Sequence, residues 1–411
     1  MFIPSIDLFD GKAVQWRQGQ QAVLERDDVF ELLDAFSLFG EVAIVDLNAA
    51  LGKADNRDLI HQLLRRHPCR VGGGIRDKQS AMDYIKAGAS KVVLGTAARE
   101  PFVRELPLEA VVVALDSKAD TWVTHGWTES SPLTTQDAMA ALGSVCSEFL
   151  YTQVEKEGMM SGLDRERVER VVTTSPVPVT VAGGVTTADD ISYLHRLGAK
   201  AQIGMAIYTG ALSLTDCLLA CLDFDKAPLV PTVVQDVHSR EVLMVAYSSQ
   251  ESLSRALASK AGVYYSRSRQ ALWTKGETSG HRQKLVRVDV DCDGDSLLFQ
   301  VEQTGPACHL NRPSCFSTVQ PGFDLTSLDR VIQARRCHAP EGSYTATLFE
   351  SQTLRESKLN EEVAELIEAT SFSEKRWEAA DLLYFTLVEA AAHDVRLIDI
   401  ISELRSRHAD H

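Results

Sequence analysis

At 411 residues, with 45% hydrophobic and 24% charged content, the chain is long enough for two or three domains with cores of their own. Its formal charge of −15 excludes nucleic acid as a general partner, and no apolar run approaches the roughly 20 residues of a membrane span. Eight cysteines over this length make no disulfide framework, and strand-like sequence starts at Phe2, so the expectation is a cytoplasmic protein.

Residues 1–225 alternate short apolar segments with helical ones, the pattern of a βα barrel or a doubly wound sheet. Strands are predicted at 3–6, 42–45, 92–94, 110–115, 178–181 and 202–204. An internal repeat separates the two options. Val71-Gly72-Gly73-Gly74-Ile75, Ala87-Gly88-Ala89 and Val93-Leu94-Gly95-Thr96-Ala97 return as Val181-Ala182-Gly183-Gly184-Val185, Leu197-Gly198-Ala199 and Ile203-Gly204-Met205-Ala206. Two similar halves imply an eight-stranded (βα)8 TIM-type barrel. Glycines at strand ends let backbone N–H groups approach a phosphate closely. A lone Gly-Gly is commonly only a turn, but the duplication points to two phosphate sites: Gly73, Gly74, Gly95 and Thr96 in one half, and Gly183, Gly184 and Gly204 in the other. They suit a substrate with a phosphate at each end.

The opening Ile3-Pro4-Ser5-Ile6-Asp7-Leu8-Phe9-Asp10-Gly11-Lys12, with Val45-Asp46-Leu47 and Gly126-Trp127, resembles the barrel isomerase of histidine biosynthesis, which converts an aminoaldose ribotide to its aminoketose. The resemblance covers most of residues 1–215 and implies that Asp7 is the catalytic carboxylate, the candidate base, of the first strand. It also exposes a departure. Where that family has Thr-Asp on its fifth strand, leading to Asp-Gly-Thr, this chain has Thr152-Gln153-Val154-Glu155-Lys156-Glu157-Gly158, and Gln15 replaces an arginine. A primary amide cannot usefully exchange a proton near neutral pH. The expectation is a barrel that keeps its phosphate sites and has lost its chemistry, with Glu155 or Asp190 as candidate replacements. A trifunctional chain with a working barrel and a barrel that serves only as a scaffold are the alternatives.

A linker is predicted at 222–228, where charge and a proline separate two apolar segments. Strands at 230–235 and 242–247 and a helix at 250–259 follow. Residues 286–292 alternate as a strand should, placing Cys292 at its end between Asp291 and Asp293, with Asp295 across an Asp-Gly hairpin turn and a returning strand at 297–303. Cys308 and Cys315 lie in the loop beyond. Any one of these residues alone reads as a buried thiol or a solvated acid. Together, three thiolates suit zinc with one position open for water, and the clustered aspartates suit magnesium.

Tyr264-Tyr265-Ser266-Arg267-Ser268-Arg269 and Leu272-Trp273-Thr274-Lys275-Gly276-Glu277-Thr278-Ser279-Gly280-His281, taken with these cysteines, resemble phosphoribosyl-AMP cyclohydrolase from about residue 229 to 316. The resemblance implies zinc on Cys292, Cys308 and Cys315, shared across a homodimer interface, and magnesium on Asp291, Asp293 and Asp295. His281 is then the general base or orienting group near the metal-bound water. Arg267, Ser268, Arg269, Trp273, Lys275 and Thr278 are the candidate substrate-binding residues, although Lys and Arg on a strand are often only a solvated face. A zinc nucleobase deaminase is the runner-up, but its Cys-x-x-Cys is missing.

After a polar linker at 317–322 the periodicity turns helical at 325–337, 354–369, 374–392 and 397–408. Glu361, Glu362 and Glu365 share one helix face, and Glu378 and Asp381 share another, so two helices can gather five carboxylates around magnesium. Surface glutamates are commonplace, but Asp381 sits in an otherwise apolar stretch. This arrangement, with Pro340-Glu341-Gly342-Ser343-Tyr344-Thr345 and Lys358, resembles phosphoribosyl-ATP pyrophosphohydrolase among the all-α nucleotide pyrophosphohydrolases. Glu362 and Glu365 are its candidate catalytic residues and Lys358 a substrate contact; a general nucleoside triphosphate pyrophosphatase is the alternative. The expected organisation is a barrel at 1–225, a middle α+β zinc domain at 226–318 and an all-α domain at 323–411, acting on small-molecule nucleotides with zinc and magnesium as cofactors.

Overall fold

The ring of the N-terminal barrel is closed by eight parallel strands: β1 (Phe2–Phe9), β2 (Ala43–Asp46), β3 (Arg70–Gly72), β4 (Lys91–Leu94), β5 (Val111–Lys118), β6 (Glu148–Gln153), β7 (Val179–Ala182) and β8 (Lys200–Ile203). β1 pairs with both β2 and β8, and β6 pairs with both β5 and β7. The computed structural model describes residues 1–17, 21–124, 126–127, 129–316 and 324–408, so the predicted linker at 317–322 lies outside the described residues. β3 and β6 are absent from the predicted strand list. β3 has three residues and ends in glycine, while β6 runs from Glu148 to Gln153 and reads as polar although all six residues are buried. Counting β3 moves the strand that carries Gln153 from fifth to sixth place.

The first residue of β6, Glu148, is buried among partners from the neighbouring strands. Arg70, with no exposed side-chain surface, donates to Glu148 at 2.7 Å and to Glu41 at 2.6 Å. Lys91 and Lys200 reach the other Glu148 oxygen at 3.0 and 3.2 Å, and Thr180 donates at 2.5 Å. Outside the ring lie amphipathic helices such as Arg57–Arg66, which buries Ile60, Leu63 and Leu64, and Ala188–Arg196, started by a capping box between Thr187 and Asp190.

The middle segment is built on a four-stranded sheet, with β9 (Val230–Asp236) and β10 (Val242–Ser248) preceding a hairpin of β11 (Val263–Ser266) and β12 (Ala271–Thr274), and with β13 (Gln283–Val290) and β14 (Leu297–Gln303) completing the sheet in the order β10-β9-β14-β13. Its helix runs Gln250–Ser259, capped by Ser249. β13 stops at Val290 instead of 292, because Asp291 turns back to accept hydrogen bonds from the amides of Asp295 and Ser296. Cys292 therefore sits in the turn and not on a strand face. Residues 222–229 hold no helix or strand, yet the apolar core runs on without a break from barrel residues such as Leu218 to Val230, Leu253 and Phe299.

The described residues form two compact units, 1–316 and 324–408. The second contains α1 (Leu325–Cys337), α2 (Tyr344–Glu350), α3 (Gln352–Glu368), α4 (Phe372–Ala392) and α5 (Leu397–His408) around Ile332, Leu348, Phe385, Val388 and Ala391. α2 is the one helix not predicted among these; its seven residues are too few to display a period, although Ser343 caps it. Among the described residues, no helix is long and apolar enough to cross a membrane.

Candidate active sites

The carboxyl ends of the barrel strands surround a cavity of about 350 Å³ lined by Asp7, Gly73, Gly74, Gly95, Thr96, Gly183, Gly184 and Gly204. The repeat is visible in its walls. Gly73 has φ +97° and its Cβ would fall 2.3 Å from the carbonyl oxygen of Asp46, the last residue of β2; Gly183 has φ +79° and its Cβ would fall 2.6 Å from that of Gln153, the last residue of β6. Only glycine fits at either place. The side chains above them are also equivalent: Asp46 accepts from the amide of Asn56 at 2.8 Å, and Gln153 accepts from the amide of Asp164 at 3.1 Å, the partners being the N-caps of the helices Arg57–Arg66 and Arg165–Thr174. Gln153 is thus a buried brace and does not line the cavity.

The expected substitutes are placed elsewhere. Glu155 accepts from the Ala119 amide at 2.7 Å and faces Arg167, and Asp190 is occupied as a helix cap and ion-paired to Arg165. The cavity instead receives two carboxyls that the sequence reading did not assign, Asp116 and Glu157. Burial pushes Asp7 up to about 7 and, with like charge from Asp7 and Asp116, pushes Glu157 up to about 7; burial also raises Asp116. The expectation that Gln153 leaves Asp7 without a second acid is therefore corrected at the level of geometry. Both were signalled: Asp116 follows an apolar strand at its carboxyl end, where barrels carry their chemistry, and Glu157 precedes the loop's Gly158.

In the middle segment, Cys308 and Cys315 lie close enough for each thiol to act on the other. The Leu310 amide, 3.5 Å from the Cys308 sulfur, helps hold that thiol below its usual range, whereas burial raises Cys315. Lys275 is buried beside both thiols, and burial lowers its pKa. It stands apart from Arg267, Ser268 and Arg269, which are exposed at the β11–β12 turn with Arg267 3.8 Å above the Tyr247 ring. Trp273 packs on Tyr264, Thr278 is exposed, and His281 lies against Gly305. Cys292, exposed in its turn, does not join the other two sulfurs in any group of ligand atoms within 4.8 Å of one another among the described residues. Asp291, Asp293 and Asp295 do form such a group. Burial would raise Asp291, but the Ser296 and Asp295 amides outweigh it and hold the carboxyl below the usual range.

In the helical unit, Glu361, Glu362 and Glu365 form one group within 4.8 Å and Glu362, Glu378 and Asp381 a second, with the buried Glu362 common to both. Burial and the charges of Asp381 and Glu365 raise Glu362; burial and Glu365 raise Glu378. Lys358 pairs with Glu361 at 2.8 Å and offsets part of the charge at Glu362. The helices are fixed by Arg355, which bonds Glu389 at 2.6 Å, and by Tyr384, whose hydroxyl meets that of Thr345 at 2.9 Å. An excess of clustered negative charge on a rigid pair of helices fits a divalent cation.

A sequence profile of the family described as "Histidine biosynthesis protein" matches residues 1–213, more than half of the chain. The chain belongs to the histidine biosynthesis protein family. Profiles of phosphoribosyl-AMP cyclohydrolase and phosphoribosyl-ATP pyrophosphohydrolase match residues 244–317 and 325–408. Among curated relatives, the histidine biosynthesis bifunctional protein HisIE of Bacillus subtilis is 43% identical over 200 residues, 46% of this chain and 96% of that protein. The histidine biosynthesis trifunctional proteins of Kluyveromyces lactis and Neurospora crassa are 41% and 38% identical over 51% and 60% of this chain, which spans 26% of the length of each. This member of the histidine biosynthesis family carries two hydrolytic steps: cleavage of phosphoribosyl-ATP to phosphoribosyl-AMP and pyrophosphate, and opening of the adenine ring of phosphoribosyl-AMP.

Proposed function

We propose that the helical unit performs the first step on the carboxylates gathered about Glu362, and that the middle segment performs the second on Cys292, Cys308 and Cys315. The observation that carries this reading is the sharing of Glu362 by two carboxylate groups within a profile-matched helical unit. Magnesium on these acids would neutralise the triphosphate, and zinc on the three thiolates would supply an activated water. The chain does the rest. Glu362 and Glu365 hold the attacking water by accepting its protons, while Lys358 faces the phosphates. In the second step His281 takes a proton from the water that adds to the ring carbon C6 and returns it to N1 as the N1–C6 bond breaks. Lys275 offsets the charge of the Cys308 and Cys315 thiolates, and Arg267 and Arg269 meet the substrate phosphates.

The two sites are separable by mutation. Cys308→Ser should abolish ring opening and leave pyrophosphate release intact, and Glu365→Gln should lower pyrophosphate release about 10²-fold or more while ring opening of added phosphoribosyl-AMP persists. Loss of both activities in either variant, with the fold retained by circular dichroism, would refute the assignment. We further infer a cytoplasmic homodimer: Ile367, Phe372 and Trp377 on α3 and α4 are 73%, 82% and 68% exposed, an apolar display that suits a second copy.

For the barrel the primary reading is binding of the bis-phosphorylated ribotide without turnover. A second reading, aldose–ketose isomerisation, is favoured by one observation, the shared cavity of Asp7, Asp116 and Glu157. Incubation with the aminoaldose ribotide decides between them: ketose formed at roughly 1–10³ per second, and lost in Glu157→Gln, establishes the second, and calorimetric binding without ketose the first.

A further inference from the structure

The acidic turn of the middle segment rests on the base of the barrel. Gly294, at φ +76°, is buried, and a Cβ there would fall 2.3 Å from the carbonyl oxygen of Cys221 and 3.2 Å from Nε2 of His195. His195 lies in the last turn of the helix Ala188–Arg196, and its Nδ1 is 3.1 Å from the Met1 nitrogen. With Nδ1 accepting from Met1, the ring proton belongs on Nε2. That atom is buried and has no hydrogen-bond partner among the described residues. Asp291 and Asp293 both lie within electrostatic reach of the ring. A donor so placed is satisfied by a small approach of the turn, and leaving it unmatched is unfavourable. A second contact runs along the strand that feeds the turn: Arg287 bonds Asp289 at 2.9 Å, and both side chains approach Gly40 of the barrel.

We propose that His195 is a positioning residue for ring opening, seating the 291–295 turn, with the Cys221 carbonyl beneath Gly294, so that its three carboxylates are preorganised for a divalent cation. The inference rests on the reading of Asp291, Asp293 and Asp295 as cation ligands. It gives the barrel a part in the cyclohydrolase reaction that is independent of the barrel's own cavity, which opens at the opposite, carboxyl ends of the strands. A ligand shell fixed by an outer partner loses about 10–100-fold in metal affinity when the partner is removed.

The experiment uses the full chain and compares His195→Leu with His195→Gln, whose amide nitrogen can occupy the place of Nε2. In metal-free protein, hydrogen exchange of the Asp295 and Ser296 amides, which close the turn on Asp291, should be about tenfold faster in His195→Leu and near the parent rate in His195→Gln. The magnesium concentration for half-maximal ring opening should rise by about tenfold in His195→Leu alone, with kcat at saturating magnesium and pyrophosphate release unchanged. Gly294→Ala, which lifts the turn from its seat with His195 intact, should reproduce both shifts and serves if His195→Leu does not fold. Parent-like exchange and magnesium requirement in the variants would overturn the inference. Ring opening by the parent that ignores magnesium would instead overturn the cation reading, and the exchange rates would still judge the seat.

Discussion

The side chains whose surroundings matter most are those whose sequence neighbours reveal least. Asp7 was legible because the opening strand carries it within a dense motif, whereas Glu157 was one of two glutamates flanking a lysine, and nothing in the order Glu155-Lys156-Glu157 says which one turns inward. The fold decides: Glu155 caps the Ala119 amide outside, and Glu157 is left facing Asp7 in the cavity. This placement has a measurable consequence for stability. Asp7 rises from 3.8 to about 7 and Glu157 from 4.5 to about 7, so between those values the folded state binds more protons than the unfolded one. Stability from these two groups is thus complete below about pH 4 and falls as pH rises to 7. The penalty above neutrality is at most about 4 kcal/mol for Asp7, less where cavity water reaches the carboxyl. Asp7→Asn should accordingly raise the melting temperature at pH 8 by several degrees and leave it nearly unchanged at pH 4.5. Calorimetry at the two pH values checks this, and an equal change at both would show that the carboxyl is not held in its acid form by the cavity.

At the scale of the element, the barrel could be counted from its repeat although two of its strands could not be read directly. The reason lies in β6, where Glu148 and Gln153 break the apolar run. Their partners, Arg70 on β3 and Asp164 at a helix start, are 78 and 11 residues away, so no local pattern announces that these polar groups are satisfied inside. The same distance hides β3, whose first residue is the buried arginine. Glu148 is raised by burial but held far below the usual carboxylate range by Arg70 and Lys200, so its contribution to stability is present above about pH 4.5 and is lost as pH falls through the folded value. Glu148→Gln should cost about 3–5 kcal/mol at pH 7 by leaving Arg70 buried with a poorer partner, and should flatten the acid limb of the stability curve. Urea titrations at pH 7 and pH 4 test both parts. Equal stability of parent and variant at pH 7 would mean that Glu41, the other acceptor of Arg70, carries the arginine without the Glu148 carboxylate.

For the whole molecule, the question left by one chain is how three thiols separated in a single copy would make the one zinc site proposed for them. Cys308 and Cys315 are adjacent, with Lys275 beside them, while Cys292 is exposed at a turn anchored on the barrel, and the three sulfurs do not meet within the described residues. The spacing of the cysteines along the sequence could nominate them as ligands but could not say whether they converge in one copy, because that depends on where β13 ends and on what seats its turn. If Cys292 of one copy completes the Cys308–Cys315 pair of its partner, an isologous dimer has two equivalent sites, each drawing on both copies. Mixing Cys292→Ala with Cys308→Ala under conditions that exchange subunits then produces mixed dimers with one site lacking both residues and one site intact. With half of the dimers mixed at equilibrium, ring opening should recover to about a quarter of the parent rate, although each variant alone is inactive. If all three thiols came from the same copy, every site in every dimer would carry one substitution and mixing would restore nothing. Pyrophosphate release, assigned here by proposal to the acids of α3 and α4, should stay constant throughout and report that exchange has not simply unfolded the protein.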